Sequence, residues 1–201
     1  LSPYIIESSK KLLTMMGIPY IEAYGEGEAQ AAYLVENGDA WAVASQDYDC
    51  LLFGAKRVVR NLAINSNLGD LEYYNLKRVL DELDINREQL IDMVILIGTD
   101  FSEGLKGVGA KTALKLAKKG ELENKLAKLQ EESSHDISEV REIFLNHNVN
   151  TDYKIRWKKP AKNDIIDFLC EEHGFSQDRV SKACDKLKNL NSSQKSLEDW
   201  F

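Results

Sequence analysis

Cysteine is scarce in this sequence: Cys50, Cys170 and Cys184 lie too far apart along 201 residues to make a disulfide framework. A reducing cytoplasm is therefore the expected setting. Long apolar runs are missing as well. Stretches such as Val94 to Ile97 fall far short of the roughly 20 residues a membrane helix needs, and no signal-peptide pattern opens the chain. Histidine is equally rare, and His135, His147 and His173 have no metal-ligand spacing with one another or with the cysteines, which argues against zinc. No nucleophile elbow and no catalytic triad can be picked out, and Cys50, in an apolar stretch, is expected in the core. With 43% hydrophobic and 29% charged residues the chain is globular rather than disordered throughout, and 22.8 kDa suits one large domain or a domain with an appendage. It begins at Leu1 without an initiator Met, so it is expected to be a fragment.

The net charge of -7 is unevenly spread. Residues 1–100 hold 8 basic against 16 acidic side chains, whereas residues 101–201 hold 18 against 17. An acidic total argues against indiscriminate nucleic-acid binding, but local patches decide such contacts. Between Gly104 and Gly120 lie Lys106, Lys111, Lys115, Lys118 and Lys119 with no acid, and between Tyr153 and Lys162 lie Lys154, Arg156, Lys158, Lys159 and Lys162, again with none. A solvated helix face and a charged loop are the plain alternatives for these two runs.

Ser2-Pro3 reads as cap and first turn of a helix that Gly17 stops. Ile18 to Ile21 reads as a short strand, edge-like because of Pro19. A helix is expected from about Glu28 to Glu36, ended by Gly38, followed by an apolar strand Ala40 to Ala44 that suits burial on both faces of a parallel sheet. Arg57 to Leu62 reads as another strand, and Asn75 and Asn86 cap helices at 76–83 and 87–97, the second stopped by Gly98. The alternation predicts an α/β layer with a mostly parallel sheet up to residue 75 and helices beyond it. Asn146 to Pro160 reads as a polar loop, 161–190 as two helices separated at His173-Gly174-Phe175, and 191–193 as a linker to a short tail.

Carboxylates recur just past these apolar elements: Glu26 and Glu28 at a helix start, Asp47 and Asp49 after the apolar strand, and Asp100 after 93–97. In an open parallel sheet such positions line the ligand crevice. Residues two apart in extended chain point the same way, so Asp47 and Asp49 could converge. Positions 26 and 28 of one helix would diverge by about 200°, so Glu26 must precede the helix if both face the site. Several carboxylates brought together need cations among them, and hard oxygen ligands without His or Cys suit Mg²⁺ or Mn²⁺. Two such ions about 4 Å apart serve phosphodiester hydrolysis. The plain alternative is that the glutamates complement a helix N-terminus while the aspartates cap turns.

Gly104 to Ala113 joins two helical stretches. It nearly spells a P-loop, but Ala110 intervenes before Lys111-Thr112 and no strand precedes it, so nucleotide triphosphate binding is rejected. The dinucleotide fingerprint fails for the same lack of a strand and for want of a third glycine. A tight Gly107-Val108-Gly109 hairpin fits better: its bare backbone and the next helix N-terminus can approach a phosphate beside Lys106, Lys111 and Lys115. An ordinary helix–helix turn is the alternative. At the far end, Gln194, Leu197, Trp200 and Phe201 place apolar anchors on a polar tail, the pattern of a docking peptide or of a tail that folds back on its own domain.

Taken together, three stretches resemble the flap endonucleases of archaeal type. These are Gly17-Ile18-Pro19-Tyr20 through Glu26-Gly27-Glu28 to Ser45-Gln46-Asp47-Tyr48-Asp49 and Phe53-Gly54; Ile97-Gly98-Thr99-Asp100 with Gly104-Leu105-Lys106-Gly107-Val108-Gly109; and Gln194-x-x-Leu197-x-x-Trp200-Phe201. The resemblance implies a PIN-like α/β nuclease core over 1–100, a helical region with a helix–hairpin–helix-type motif over 101–190, and a tail over 191–201. It implies a structure-specific 5′ nuclease that removes single-stranded DNA flaps in replication and repair with two Mg²⁺ ions, Mn²⁺ being a possible substitute. Glu26 and Glu28 would serve the first ion, Asp47 would bridge, and Asp49 and Asp100 would hold the second. Gly104, Lys106, Gly107, Gly109, Lys111, Thr112 and Lys115 would grip duplex DNA, with a monovalent cation on the turn's carbonyls, and Tyr153 to Lys162 is a weaker candidate for the upstream duplex. The tail would dock on the sliding clamp PCNA. Family members also carry an N-terminal half with a first strand, two further aspartates and a helical arch, which is expected as a further part or separate chain, and whose absence would leave a sheet edge open. The alternatives are a non-catalytic module for duplex DNA and clamp, or a related 5′ nuclease acting on bubbles or nicks. The setting would be cytoplasmic and nucleoid-associated in an archaeon, nuclear in a eukaryote.

Overall fold

In the computed structural model, which describes residues 2–62 and 70–193, Ser2, Asn75, Asn86 and Asp136 each cap the start of a helix with a side-chain oxygen. Two units form, each around its own core: Ala23–Asn150, and Leu1–Glu22 with the described residues from Thr151 onward. These packing units are not the segments 1–100 and 101–190, which remain a division by chemistry.

In the first unit, α2 (Gly27–Glu36) leads to β1 (Val43–Ala44), a short α3 (Asp49–Leu52), β2 (Arg57–Arg60) and β3 (Glu72–Asn75). β1 runs parallel to β2, with Val43 beside Val58, and β3 runs antiparallel, with Arg60 beside Glu72 and Val58 beside Tyr74. The sheet of the described residues is thus mixed, and β3 was not legible in the sequence. The apolar run 40–44 forms a ladder only at its last two residues, and Ala44 is exposed. Trp41 is held by side chains instead: its carbonyl accepts from Arg57 Nε at 2.5 Å and its indole stacks on Tyr73 at 5.8 Å. β1 pairs with β2 alone among the described residues, leaving an open edge.

Asn75 and Asn86 cap α4 (Leu76–Leu83) and α5 (Arg87–Ile97) as expected, Asn86 in a reciprocal capping box with Gln89. The unit is built around α5, whose Ile91, Ile95 and Leu96 are fully buried with Val58, Cys50 and Phe144. α6 (Ala110–Lys119), α7 (Leu122–Glu132) and α8 (Ile137–Leu145) pack on it. Arg87 ties the start of α5 to its neighbours, donating to the Leu52 carbonyl at 2.9 Å and the Phe144 carbonyl at 2.7 Å. Buried Asp92 keeps its charge satisfied through Arg141 of α8 at 2.6 Å.

The second unit packs α1 (Pro3–Met16) with α9 (Lys162–Ile166), a wider π-helical turn at Asp167–Glu172, and α10 (Gln177–Ser193). Ile165, Val180 and Cys184 form its small core with Leu12, Met15 and Met16. Ser2 caps α1 and Gly17 ends it in the left-handed region, where a Cβ would meet the Lys158 carbonyl at 2.1 Å. The 18–21 segment is not a strand. Ile18 donates back to Leu13, and Lys158 donates to Gly17, so the chain leaves α1 in a turn stitched to the 151–161 loop rather than in a ladder. Nor is 191–193 a linker: no Gly or Pro follows Gly174, and α10 continues through Ser193. The tail residues Gln194, Leu197, Trp200 and Phe201 lie outside the described residues. No helix among the described residues is long and apolar enough to cross a membrane.

Candidate metal centre

Glu26 sits immediately ahead of α2 in extended conformation, as the angular argument requires, and Glu28 lies in the first turn. Glu26 makes no side-chain cap bond, so capping does not account for it. Asp47 follows β1, its backbone N–H donating to Ser45 Oγ at 3.1 Å. Asp49 is the first residue of α3. The Asp47–Asp49 step is not extended, because Tyr48 already has helical dihedrals, so alternation along a strand does not explain their proximity. Asp100 lies at the tip of a tight turn closed by Thr99 and Ser102, which exchange backbone hydrogen bonds at 2.8 and 3.2 Å.

All five nevertheless share one electrostatic neighbourhood. Burial pushes the half-buried Asp49 carboxyl above its ordinary range, and the charges of Asp47, Asp100, Glu28 and Glu26 push it further the same way. Directly behind it, burial drives the Cys50 thiol up to about 11, with Glu28 and Asp47 adding to the effect, which leaves it a core residue and no nucleophile. None of the five carboxylates forms an ion pair among the described residues, although Glu72, Glu88 and Asp92 each have an arginine. Among the described residues no three acidic, His or Cys side chains stand close enough together to hold an ion, and mutual repulsion of unpaired carboxylates favours that spread. The donor chemistry is oxygen alone, negative and uncompensated, which fits a hard divalent cation such as Mg²⁺ or Mn²⁺.

Beside this cluster, α8 supplies a wall that sequence reasoning missed. A cleft of about 530 Å³ is lined by Glu26, Phe53, Phe101, Glu139, Glu142 and His147. Glu139 and Glu142 read in sequence as the polar face of an ordinary amphipathic helix, and nothing local distinguishes them.

The turn from α5 to α6 places its glycines by two different needs. Gly104 has φ +71°, and a Cβ there would lie 2.6 Å from the Ile97 carbonyl and the Gly98 nitrogen, so the close return onto α5 excludes a side chain. Gly107 (φ +86°) and Gly109 face open space, with no neighbour within 4 Å of where a methyl would lie. Gly109 precedes α6 without a side-chain cap, and its carbonyl accepts from Thr112 and Ala113 at 2.9 Å. Ala113, Leu116 and Ala117 bury one face of α6, while Lys111, Thr112 and Lys115 are exposed, as is Lys106 on the turn. In the second unit Lys154, Arg156, Lys158 and Lys159 are exposed, and Lys162 pairs with Asp185 at 2.7 Å.

Residues 17–100 match the model of the XPG I-region family. The chain is 99% identical over all 201 residues to flap endonuclease 1 of Methanobrevibacter smithii and covers 62% of that protein. It is 55% identical to flap endonuclease 1 of Methanothermobacter thermautotrophicus, with all of this chain and 62% of the relative aligned. The fold matches a solved flap endonuclease-1 from Methanococcus jannaschii with a TM-score of 0.87 at 43% identity, over 96% of this chain and 60% of that one. The chain thus spans about three fifths of the length of its relatives.

Proposed function

Starting from this chain's homology to the flap endonucleases along its whole length, we propose that it forms the metal-binding and duplex-gripping part of a structure-specific 5′ flap endonuclease. The observation that carries the reading is the set of four carboxylates, all unpaired, whose charges act together on Asp49. Glu26 and Glu28 would hold one divalent ion, Asp47 would bridge, and Asp49 and Asp100 would hold the other. When bound, two such ions supply an activated water and charge stabilisation for the leaving oxygen of a phosphodiester. The chain's own residues do the positioning. Gly107 and Gly109 let a phosphate approach the backbone at the start of α6, with Lys106, Lys111, Thr112 and Lys115 around it. Such contacts hold a duplex without reading its sequence, which suits an enzyme that recognises a junction. The carbonyls of the same turn are the proposed seat for a monovalent cation. Gln194, Leu197, Trp200 and Phe201 are the proposed sliding-clamp peptide, and the archaeal relatives suggest work in the cytoplasm, at the nucleoid.

The test is cleavage of an end-labelled 5′-flap duplex in Mg²⁺ by the full-length relative that matches this chain at 99% identity. Asp47→Ala is expected to remove junction cleavage while leaving flap binding measurable; cleavage at the unaltered rate would refute the assignment. A second reading, a non-catalytic module for DNA and clamp, is favoured by one observation: no three of the described ligands are gathered at binding distance. It expects this 201-residue chain alone to bind the flap substrate in a salt-sensitive way and to release no product in Mg²⁺.

A further inference from the structure

Tyr48 lies between Asp47 and Asp49, and its side chain is clasped from the sheet side. The Arg60 guanidinium sits over its ring at 3.9 Å, and Arg60 Nη1 donates to its hydroxyl. The same arginine donates Nε to the Gln46 carbonyl at 3.0 Å, so one side chain holds both residues that flank Asp47. Arg60 is itself fixed. Its partner across the β2–β3 ladder is Glu72, whose carboxylate meets Arg60 Nη1 at 2.7 Å. Tyr74, two residues on and on the same face, donates its hydroxyl to Glu72 at 3.0 Å, and its ring meets Tyr48 edge-on at 5.4 Å. Arg60 forms no ion pair with Asp47 or Asp49; its carboxylate partner is Glu72.

From this geometry we infer that Arg60, backed by Glu72 and Tyr74, is a positioning residue that locks the Gln46–Tyr48 backbone and so sets the directions of Asp47 and Asp49 toward a divalent ion. The inference rests on the metal reading above. A planar guanidinium suits the task, since it can lie flat on an aromatic ring while Nε and Nη1 donate in fixed directions, whereas an ammonium has neither a plane to stack nor a rigid fork. Groups that orient ligands from behind change metal affinity by about ten- to a hundredfold when removed. Arg60 is not required to touch DNA or the reacting phosphate.

The test uses the full-length relative with Arg60→Met, Arg60→Lys and Tyr48→Phe, each checked for an unchanged circular dichroism spectrum. Mn²⁺ binding is read directly from the electron paramagnetic resonance signal of the free ion, and flap cleavage is measured across a Mg²⁺ titration. Arg60→Met is expected to weaken Mn²⁺ binding about tenfold or more, with kcat partly restored by excess metal and KM for the flap unchanged. Arg60→Lys is expected to resemble Arg60→Met, whereas a phosphate contact would be largely kept by lysine. Tyr48→Phe, which removes only the hydroxyl contacts, is expected to fall between wild type and Arg60→Met. Unchanged Mn²⁺ affinity in Arg60→Met, or a raised KM for DNA rescued by lysine, would overturn the inference. If instead Asp47→Ala also leaves Mn²⁺ binding intact, it is the metal reading itself that fails. An Arg60→Met protein that does not fold leaves Tyr48→Phe to decide: wild-type metal affinity there overturns the inference.

Discussion

Single residues carry the most legible part of this chain. Glu26, Glu28, Asp47, Asp49 and Asp100 stand out in the sequence because each follows an apolar segment, and in the structure the charges of the other four act together on Asp49. What the sequence could not reveal was Tyr48. Its neighbours Arg60, Glu72 and Tyr74 come from strands whose register no local pattern fixes. Gly104 and Gly107 of the α5–α6 turn differ in what a side chain would meet. Gly104→Ala would push a methyl into the Ile97 carbonyl as well as adopting a disfavoured φ, so a loss of about 2 kcal/mol or more is expected. Gly107→Ala meets no neighbour and is expected to cost about 1 kcal/mol from φ alone, while weakening duplex binding. Chemical denaturation of the two variants checks the order, and equal losses would contradict the steric account.

Elements were legible in proportion to how locally they are determined. Asn75, Asn86, Ser2-Pro3 and Gly17 mark helix ends because a cap is a contact within one turn, and each sits where expected. Strands were harder, since a ladder depends on a partner elsewhere. Ile18 to Ile21 has strand-like residues but joins no ladder among the described residues, Ile18 turning back to Leu13, and Glu72 to Asn75 became a strand because β2 offered it an edge. The π-helical turn at Asp167–Glu172 has no sequence signal that we can identify. For α6 the buried Ala113, Leu116 and Ala117 leave Lys111 and Lys115 on the opposite, solvent-facing side. If these two lysines neutralise phosphates, replacing both with Ala should lower the slope of log K against log salt by about 2. Binding of a plain duplex, followed by fluorescence anisotropy across a salt series, measures it; an unchanged slope would remove α6 from the DNA contact.

At the scale of the whole molecule, the sequence divides by chemistry at about residue 100, yet α4 to α8 pack with the sheet in one unit and α1 joins residues beyond 150 in another. Chain order could not show this, because the core of the first unit is completed by Phe144, far along the chain from Val58. The tail is a whole-molecule matter too, since its proposed partner is another protein. Replacing Trp200 and Phe201 with Ala should abolish binding of the full-length relative to a sliding clamp in calorimetry while leaving flap cleavage without the clamp unaffected. Equal clamp affinity would disprove the tail assignment.

The central claim is that five separated carboxylates serve one centre for two divalent ions, and it is tested most directly by where such ions bind. Crystals of the full-length relative soaked in Mn²⁺ should give anomalous difference peaks contacted by Asp47, with Asp49 and Asp100 on one side and Glu26 and Glu28 on the other. Peaks that avoid Asp47, or none at an ion concentration that supports cleavage, would contradict the account.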